Sequence, residues 1–192
     1  MKKIPTLYKR VYKDHKIVDI ENIITPGCED ALINGTATLK IDGSCCAIID
    51  GIFYKRYDAK KGKPVPEGAV KCQEEADPIT GHLPCWVKVD ENNKGDKWFL
   101  NAYDNAVKEG LSLEDGTYEA IGLHFNGNPY DMETDTLRKH GTEVIEVGRT
   151  FDEIRDYLKN HYIEGIVFWL DGKPICKIKR SDFGFDWKTK KH

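Results

Sequence analysis

The sequence predicts an α+β chain dominated by antiparallel hairpins, and two observations carry that reading. Asp50-Gly51 and Asp171-Gly172 are each flanked by runs rich in β-branched and aromatic residues, and an Asp-Gly pair supplies the backbone that a tight hairpin turn demands. Two other stretches, at 96–108 and from Thr150 onward, carry apolar residues every three or four positions, the spacing of one helix face.

Taken in order, residues 36–41, 45–49 and 52–56 read as strands, so Lys40 stands just before the hairpin closed by Asp50-Gly51. Between Lys60 and Asp90, Gly, Pro and charged residues concentrate, at Pro64, Pro66, Pro78, Gly81 and Pro84 among others, which predicts an inserted lid or ordered excursion over about 60–90. From Asp96 to Lys108, the residues Phe99, Ala102, Tyr103, Ala106 and Val107 form an apolar stripe, and Gly110 marks its stop. Residues 116–123 and 143–147 alternate as strands do. Thr150 and Glu153 have the spacing of a capping box, opening a helix through Ile154, Tyr157 and Leu158. Residues 163–170 and 175–179 flank Asp171-Gly172, which would set Glu164 and Lys177 on paired strands.

Composition bounds the answer. The 192 residues, 40% of them hydrophobic, suffice for one domain over 1–192 with a sizeable core. A charged fraction of 32% with a net charge of −3 excludes a uniformly basic nucleic-acid coat and leaves room for a local basic groove. Met1-Lys2-Lys3 is followed by Pro5, Tyr8, Lys9 and Arg10 with no apolar run, and no later stretch reaches membrane-spanning length, so a soluble cytoplasmic protein with no membrane partner is expected; a monomer is expected as well, without a sequence feature that fixes it. Six cysteines without a CxxC pair read as reduced, mostly buried thiols. The sharper alternative is a zinc site drawing on Cys72, His82 and Cys85.

The chemistry-bearing stretch is Lys40-Ile41-Asp42-Gly43. A lysine attacks only when its ammonium is destabilised, and nearby cations do that. Lys177 and Lys179 project to one face of a strand and can serve both Lys40 and a phosphate. Phosphoryl chemistry also needs a metal ion, and Asp42, Glu119 and Glu164 are the natural carboxylates. Each residue alone has a plainer explanation: a surface turn for the tetrapeptide, a solvated strand face for the two distal lysines, a strand start for Glu164.

In order along the chain, Lys40-Ile-Asp-Gly43, Tyr118-Glu119-Ala-Ile-Gly122, Glu164-Gly-Ile-Val167 and Lys177-Ile-Lys179 resemble the signature elements of covalent nucleotidyltransferases, the ATP-dependent RNA and DNA ligases and mRNA capping enzymes. Lys40-Ile-Asp-Gly-Ser-Cys-Cys46, Cys72-Gln-Glu-Glu-Ala-Asp-Pro-Ile-Thr-Gly-His82 and Leu123-His-Phe-Asn-Gly-Asn-Pro-Tyr130 resemble more narrowly the small RNA ligase family that includes the vertebrate 5′-3′ RNA ligase.

The resemblance implies an ATP-grasp-like adenylyltransferase domain of antiparallel sheets flanked by helices. Only thirteen residues follow Lys179, so no C-terminal OB-fold is expected. It implies an ATP-dependent 5′-3′ RNA ligase in which Lys40 takes AMP, passes it to an RNA 5′-phosphate, and a 3′-hydroxyl then displaces it. By family position, Lys177 and Lys179 bind the α-phosphate, and Asp42, Glu119 and Glu164 serve Mg²⁺, for which Mn²⁺ can substitute. Glu119 meets the ribose or the metal shell, and Thr38 with the backbone of Leu39 reads adenine. Arg56 contacts nucleotide or RNA. Phe125 is a candidate to stack on the base and equally a candidate core residue. His82 and Asp77 are candidates to touch RNA ends, with a turn-stabilising role preferred for His82; the basic tail Lys188, Lys190 and Lys191 is a candidate to assist RNA binding. A minimal DNA ligase, a capping nucleotidyltransferase or a non-ligating nucleotide- or RNA-binding relative remains the alternative.

Overall fold

The computed structural model describes residues 2–14, 16–78 and 80–187, so the tail lysines Lys188, Lys190 and Lys191 lie outside the described residues. In chain order the elements are β1 (Tyr8–Lys13), β2 (Lys16–Ile24), α1 (Glu29–Asn34), β3 (Thr36–Lys40), β4 (Ser44–Ile49), β5 (Ile52–Ala59), β6 (Val70–Lys71), β7 (Leu83–Lys88), α2 (Lys97–Lys108), β8 (Gly116–Ile121), β9 (Thr136–Lys139), α3 (Phe151–Asn160), β10 (Gly165–Leu170) and β11 (Lys173–Lys179). This is the α+β class with antiparallel sheets that the hairpin signals predict. Among the described residues, no helix is long and apolar enough to cross a membrane.

The chain divides into two compact units. One comprises Asp42–His140 with the N-terminal residues through Lys3; the other comprises Ile4–Ile41 and Gly141–His192. The first division falls inside the Lys40-Ile41-Asp42-Gly43 tetrapeptide.

In the unit of Asp42–His140, six antiparallel strands run in the order β6-β7-β5-β4-β8-β9. Asp50 and Gly51 both take positive φ, 51° and 72°, the geometry of a tight hairpin turn between β4 and β5. One face of the sheet is sealed by α2: Cys46, Ile48, Tyr118, Ala120 and Leu137 pack with Ala102, Ala106 and Phe125, and Phe53, Phe99 and Tyr103 close the edge. Val107 departs from the predicted stripe and is 52% exposed, because it stands one position past Ala106 and turns away from the sheet. β7 lies inside the proline-rich 60–90 segment and pairs with β5 from Tyr54↔Lys88 to Ala59↔Leu83, so part of that segment is sheet.

In the other unit, β11-β10-β3 form a three-stranded sheet and β1-β2 a separate ribbon. The inner face of the sheet, Ala37, Ile166, Phe168, Cys176 and Ile178, packs on Ile154 and Leu158 of α3 and on Leu7, Tyr8 and Leu32. The capping box is formed as predicted, with the Thr150 hydroxyl accepting the Glu153 N–H and the Glu153 carboxylate accepting the Thr150 N–H. Asp171 and Gly172, at φ 50° and 70°, turn β10 into β11. Residues 143–147 are corrected: they form no strand, but make a single bridge, Val144 to Thr38, with Leu39 N–H donating to Glu143 O and Ile145 N–H to Ala37 O.

Candidate active site

In the sheet β11-β10-β3, register sets the cationic cluster. Gly165 pairs with Lys40 on one side and Lys179 on the other, and Val167 pairs with Thr38 and Lys177. Since side chains alternate, Thr38, Lys40, Lys177 and Lys179 share the face opposite the core. A Cβ at Gly165 would collide with Ile178 O, so only glycine lets the strands close here. Glu164, 6% exposed, sits just ahead of that row and reaches both flanking lysines: Lys40 Nζ donates to Oε2 at 2.7 Å, and Lys179 Nζ lies 3.3 Å from Oε1. The two strands pair as predicted, with Lys177 opposite Val167, and Glu164, one residue ahead of β10, bridges Lys40 and Lys179.

Lys177 is held at both backbone groups, its C=O accepting Leu7 N–H and its N–H donating to Pro5 O. Burial, then the charges of Lys40, Lys179 and Arg10, bring its ammonium down from 10.5 to about 8, with Glu164 opposing. Arg10 and Asp182, given no site role by the sequence, complete the set. Asp182, 4% exposed, accepts Arg10 Nε and Nη2 at Oδ1 and the Lys179 N–H at Oδ2, which fixes the end of β11. Thr38 is buried, its hydroxyl accepting the Trp169 indole N–H at 2.9 Å, and the Leu39 N–H is already given to Glu143. An adenine read by these groups must exchange those partners.

In the unit of Asp42–His140 a second polar face carries the remaining residues. Cys45 and Glu119 are cross-strand partners on β4 and β8, and Glu119 also pairs with Arg138 on β9. Arg56 belongs to the same face, since its neighbour Lys55 points to the α2 side, where it is ion-paired with Asp96. Arg56 Nε donates to Asp58 Oδ1 at 2.7 Å. Glu119 is 8% exposed; its Oε1 accepts the Gly43 N–H at 3.2 Å and its Oε2 lies 2.8 Å from His140 Nε2. Asp42 is clamped by the segment at 123–130: Asn126 Nδ2 donates to Asp42 Oδ1 and to Gly43 O, and the Asp42 N–H donates to Tyr130 Oη. A Cβ at Gly43 would collide with Ala120 O, so this loop can pass β8 only as glycine.

Several expectations settle differently. Phe125 is a core residue, 4% exposed, with its ring edge-to-face on Phe99 at 5.2 Å. Cys72, His82 and Cys85 do not gather; among the described residues the clustered metal-type donors are Cys45, Glu119 and His140. Asp77 and His82 build a turn through backbone and short contacts, with Asp77 N–H donating to His82 O and Thr80 N–H to Asp77 Oδ1.

Comparison with known proteins follows the same line. No protein-family model matches the chain. RNA ligase 1 of Rattus norvegicus is 23% identical over 249 aligned residues, covering 93% of this chain and 76% of the relative. RNA ligase 1 of Pongo abelii and of Danio rerio are each 22% identical with the same coverage. The chain is related to the vertebrate RNA ligase family. Against that relationship, Arg10, Asp182, Asn126, Tyr130 and His140 are residues of this RNA ligase relative that sequence reasoning did not assign. Asn126 and Tyr130 do fall within the segment that carries the narrower resemblance. His140 and Asp182 had no local signal, since their roles come from strand register and from the turn after β11.

Proposed function

We propose that the chain is an ATP-dependent 5′-3′ RNA ligase, a cytoplasmic monomer whose fold is an ATP-grasp-like adenylyltransferase domain. The observation that carries the reading is Glu164 bridging Lys40 and Lys179 beside Lys177 on one sheet face. Three lysines around a single buried carboxylate leave an excess of positive charge at that face, which suits a phosphate.

In the first step Lys40 Nζ, relieved of a proton, forms a bond to the α-phosphorus of ATP, the bond to the bridging oxygen breaks, and pyrophosphate leaves. Lys177 and Lys179 hold the α-phosphate oxygens as charge builds there. In the second step an RNA 5′-phosphate oxygen displaces Lys40 and takes AMP; in the third an RNA 3′-hydroxyl attacks that phosphate and AMP leaves. Thr38 and the Leu39 backbone bind the adenine end, Glu119 the ribose, and Arg56 a phosphate of nucleotide or RNA, for which a planar multidentate cation suits. Asp42, Glu119 and Glu164 are oxygen donors, the kind Mg²⁺ takes, and Asp42 is already oriented by Asn126. Those carboxylates would hold Mg²⁺, or Mn²⁺ in its place, and the ion would supply neutralising charge for the phosphates.

The test is an oligonucleotide panel with 5′-phosphate and 3′-hydroxyl ends, offered with ATP and Mg²⁺. Sealing of RNA ends above DNA ends supports the assignment. Equal sealing of DNA would contradict the RNA preference, and no sealing of either, with nucleotide still bound, would make the chain a binding relative.

A further inference from the structure

We propose that Cys45, Glu119 and His140 form a site for a borderline-soft divalent cation such as Zn²⁺, which shares Glu119 with the all-oxygen set proposed for Mg²⁺ but differs from it in donor chemistry. The site lies within the unit of Asp42–His140, so it stands whether or not the chain ligates RNA. Three adjacent strands build it. Cys45 on β4 is the cross-strand partner of Glu119 on β8, and His140, directly after β9, is tied back to β8 by its N–H to Thr117 O at 3.0 Å. One sulfur, one carboxylate oxygen and one ring nitrogen lie within 4.8 Å of one another.

The donor types decide the ion. Thiolate, imidazole and carboxylate together suit zinc and its neighbours, whereas Mg²⁺ takes oxygen. Tetrahedral zinc, with bonds of about 2.0–2.3 Å, separates its donors by roughly 3.3–3.6 Å, so the Cys45 sulfur would draw in by at most about 1.5 Å, while Glu119 Oε2 and His140 Nε2, now 2.8 Å apart, would open by about 0.5 Å. The histidine is already oriented as ligating histidines are: His140 Nδ1 lies 3.0 Å from Thr117 Oγ1, which leaves Nε2 to the site. Thr117 stands two residues before Glu119 on the same face of β8, so one strand holds both the ligand and the residue that steers its neighbour. On binding, Cys45 gives its thiol proton to solvent and forms a sulfur–metal bond; His140 gives up to solvent the Nε2 proton that faces Glu119 Oε2, carries its remaining proton on Nδ1 against Thr117 Oγ1, and offers the freed Nε2 lone pair; and Glu119 Oε2 exchanges His140 for the metal. With three protein donors and neither Cys45 nor His140 fully buried, the fourth position is left to water or an exogenous ligand.

The experiment uses Co²⁺ as a spectroscopic substitute and Zn²⁺ competition against a chromophoric chelator, on the full chain. One Zn²⁺ per chain and a thiolate-to-cobalt charge-transfer band in the near ultraviolet are expected, with the band lost in Cys45→Ala and zinc affinity lowered at least tenfold in His140→Gln. Should the alanine variant fail to fold by far-ultraviolet circular dichroism, Cys45→Ser replaces it. No band with the wild-type chain, or a band that persists in both the Cys45 and His140 variants, would overturn the proposal; the second result would assign the sulfur to another cysteine.

Discussion

Lys40 Nζ donates to Glu164 Oε2 at 2.7 Å, so the ammonium proposed to attack ATP is held by a buried carboxylate that also faces Lys179. Glu164 has two consequences at once: it balances two lysines in the free protein, and it restrains the nucleophile until something competes for its oxygens.

Glu164→Gln keeps the shape and removes the charge. The lysines, 20% and 34% exposed at their side chains, then repel across Gly165 with only water to screen them. A loss of about 1–2 kcal/mol of stability is expected from urea unfolding, the scale of a charge-assisted hydrogen bond between partly solvated groups. Transfer of AMP to Lys40 is expected to fall at least a hundredfold, measured as single-turnover label uptake.

Lys177 gives a pH signature. Its folded value of about 8 lies below the ordinary 10.5, so the folded chain binds fewer protons than the unfolded chain between those values. Its charged form is a penalty at neutral pH that is relieved as pH rises from 8 toward 10.5. Lys177→Met is therefore expected to be more stable than wild type at pH 7, with an advantage that shrinks above pH 8, read from thermal melts across that range. A phosphate beside Lys177 restores its proton, so AMP binding near pH 8.5 should take up protons in calorimetry run in two buffers, and the variant should not.

Arg10→Ala leaves the Asp182 carboxylate buried without its two-pronged partner. About 3 kcal/mol of destabilisation is expected, with Lys179 displaced and the KM for ATP raised more than fold loss alone predicts. Arg10→Lys, a single-point cation, should recover charge without the two-pronged geometry and rescue only in part.

The hairpins at Asp50-Gly51 and Asp171-Gly172, the α2 stripe and the α3 capping box were legible because each is fixed by neighbours in sequence. The β1-β2 ribbon was not. Its register shifts twice, and Tyr12, Ile17, Val18 and Ile23 are exposed, so apolar residues there do not mark an inner face. β7 was hidden by Pro84 and the prolines before it, although Pro84 sits within the strand opposite Asp58. For the site, Lys40, Glu164, Lys177 and Lys179 were readable as a set, but which lysines Glu164 would bridge depended on where Gly165 falls between β3 and β11. Residues that act through register alone, His140 above all, carry no spacing to find.

Asn126→Ala tests the clamp on Asp42. It removes the donor to Asp42 Oδ1 and Gly43 O while leaving the Tyr130 hydrogen bond to the Asp42 N–H. The Mg²⁺ concentration needed for half-maximal activity is expected to rise by about 10–100-fold, the usual cost of losing a residue that orients a metal ligand. An unchanged Mg²⁺ requirement would remove Asp42 from the metal set.

The most direct measurement is on Lys40 itself. The chain, freed of any bound AMP, is incubated with α-labelled ATP and Mg²⁺, denatured and resolved by electrophoresis, and the labelled peptide is mapped by mass spectrometry. One acid-labile adenylyl group on Lys40, absent from Lys40→Ala and not replaced by labelled GTP, is the predicted result; a wild-type chain that binds ATP reversibly and carries no covalent label would contradict the account at its first step.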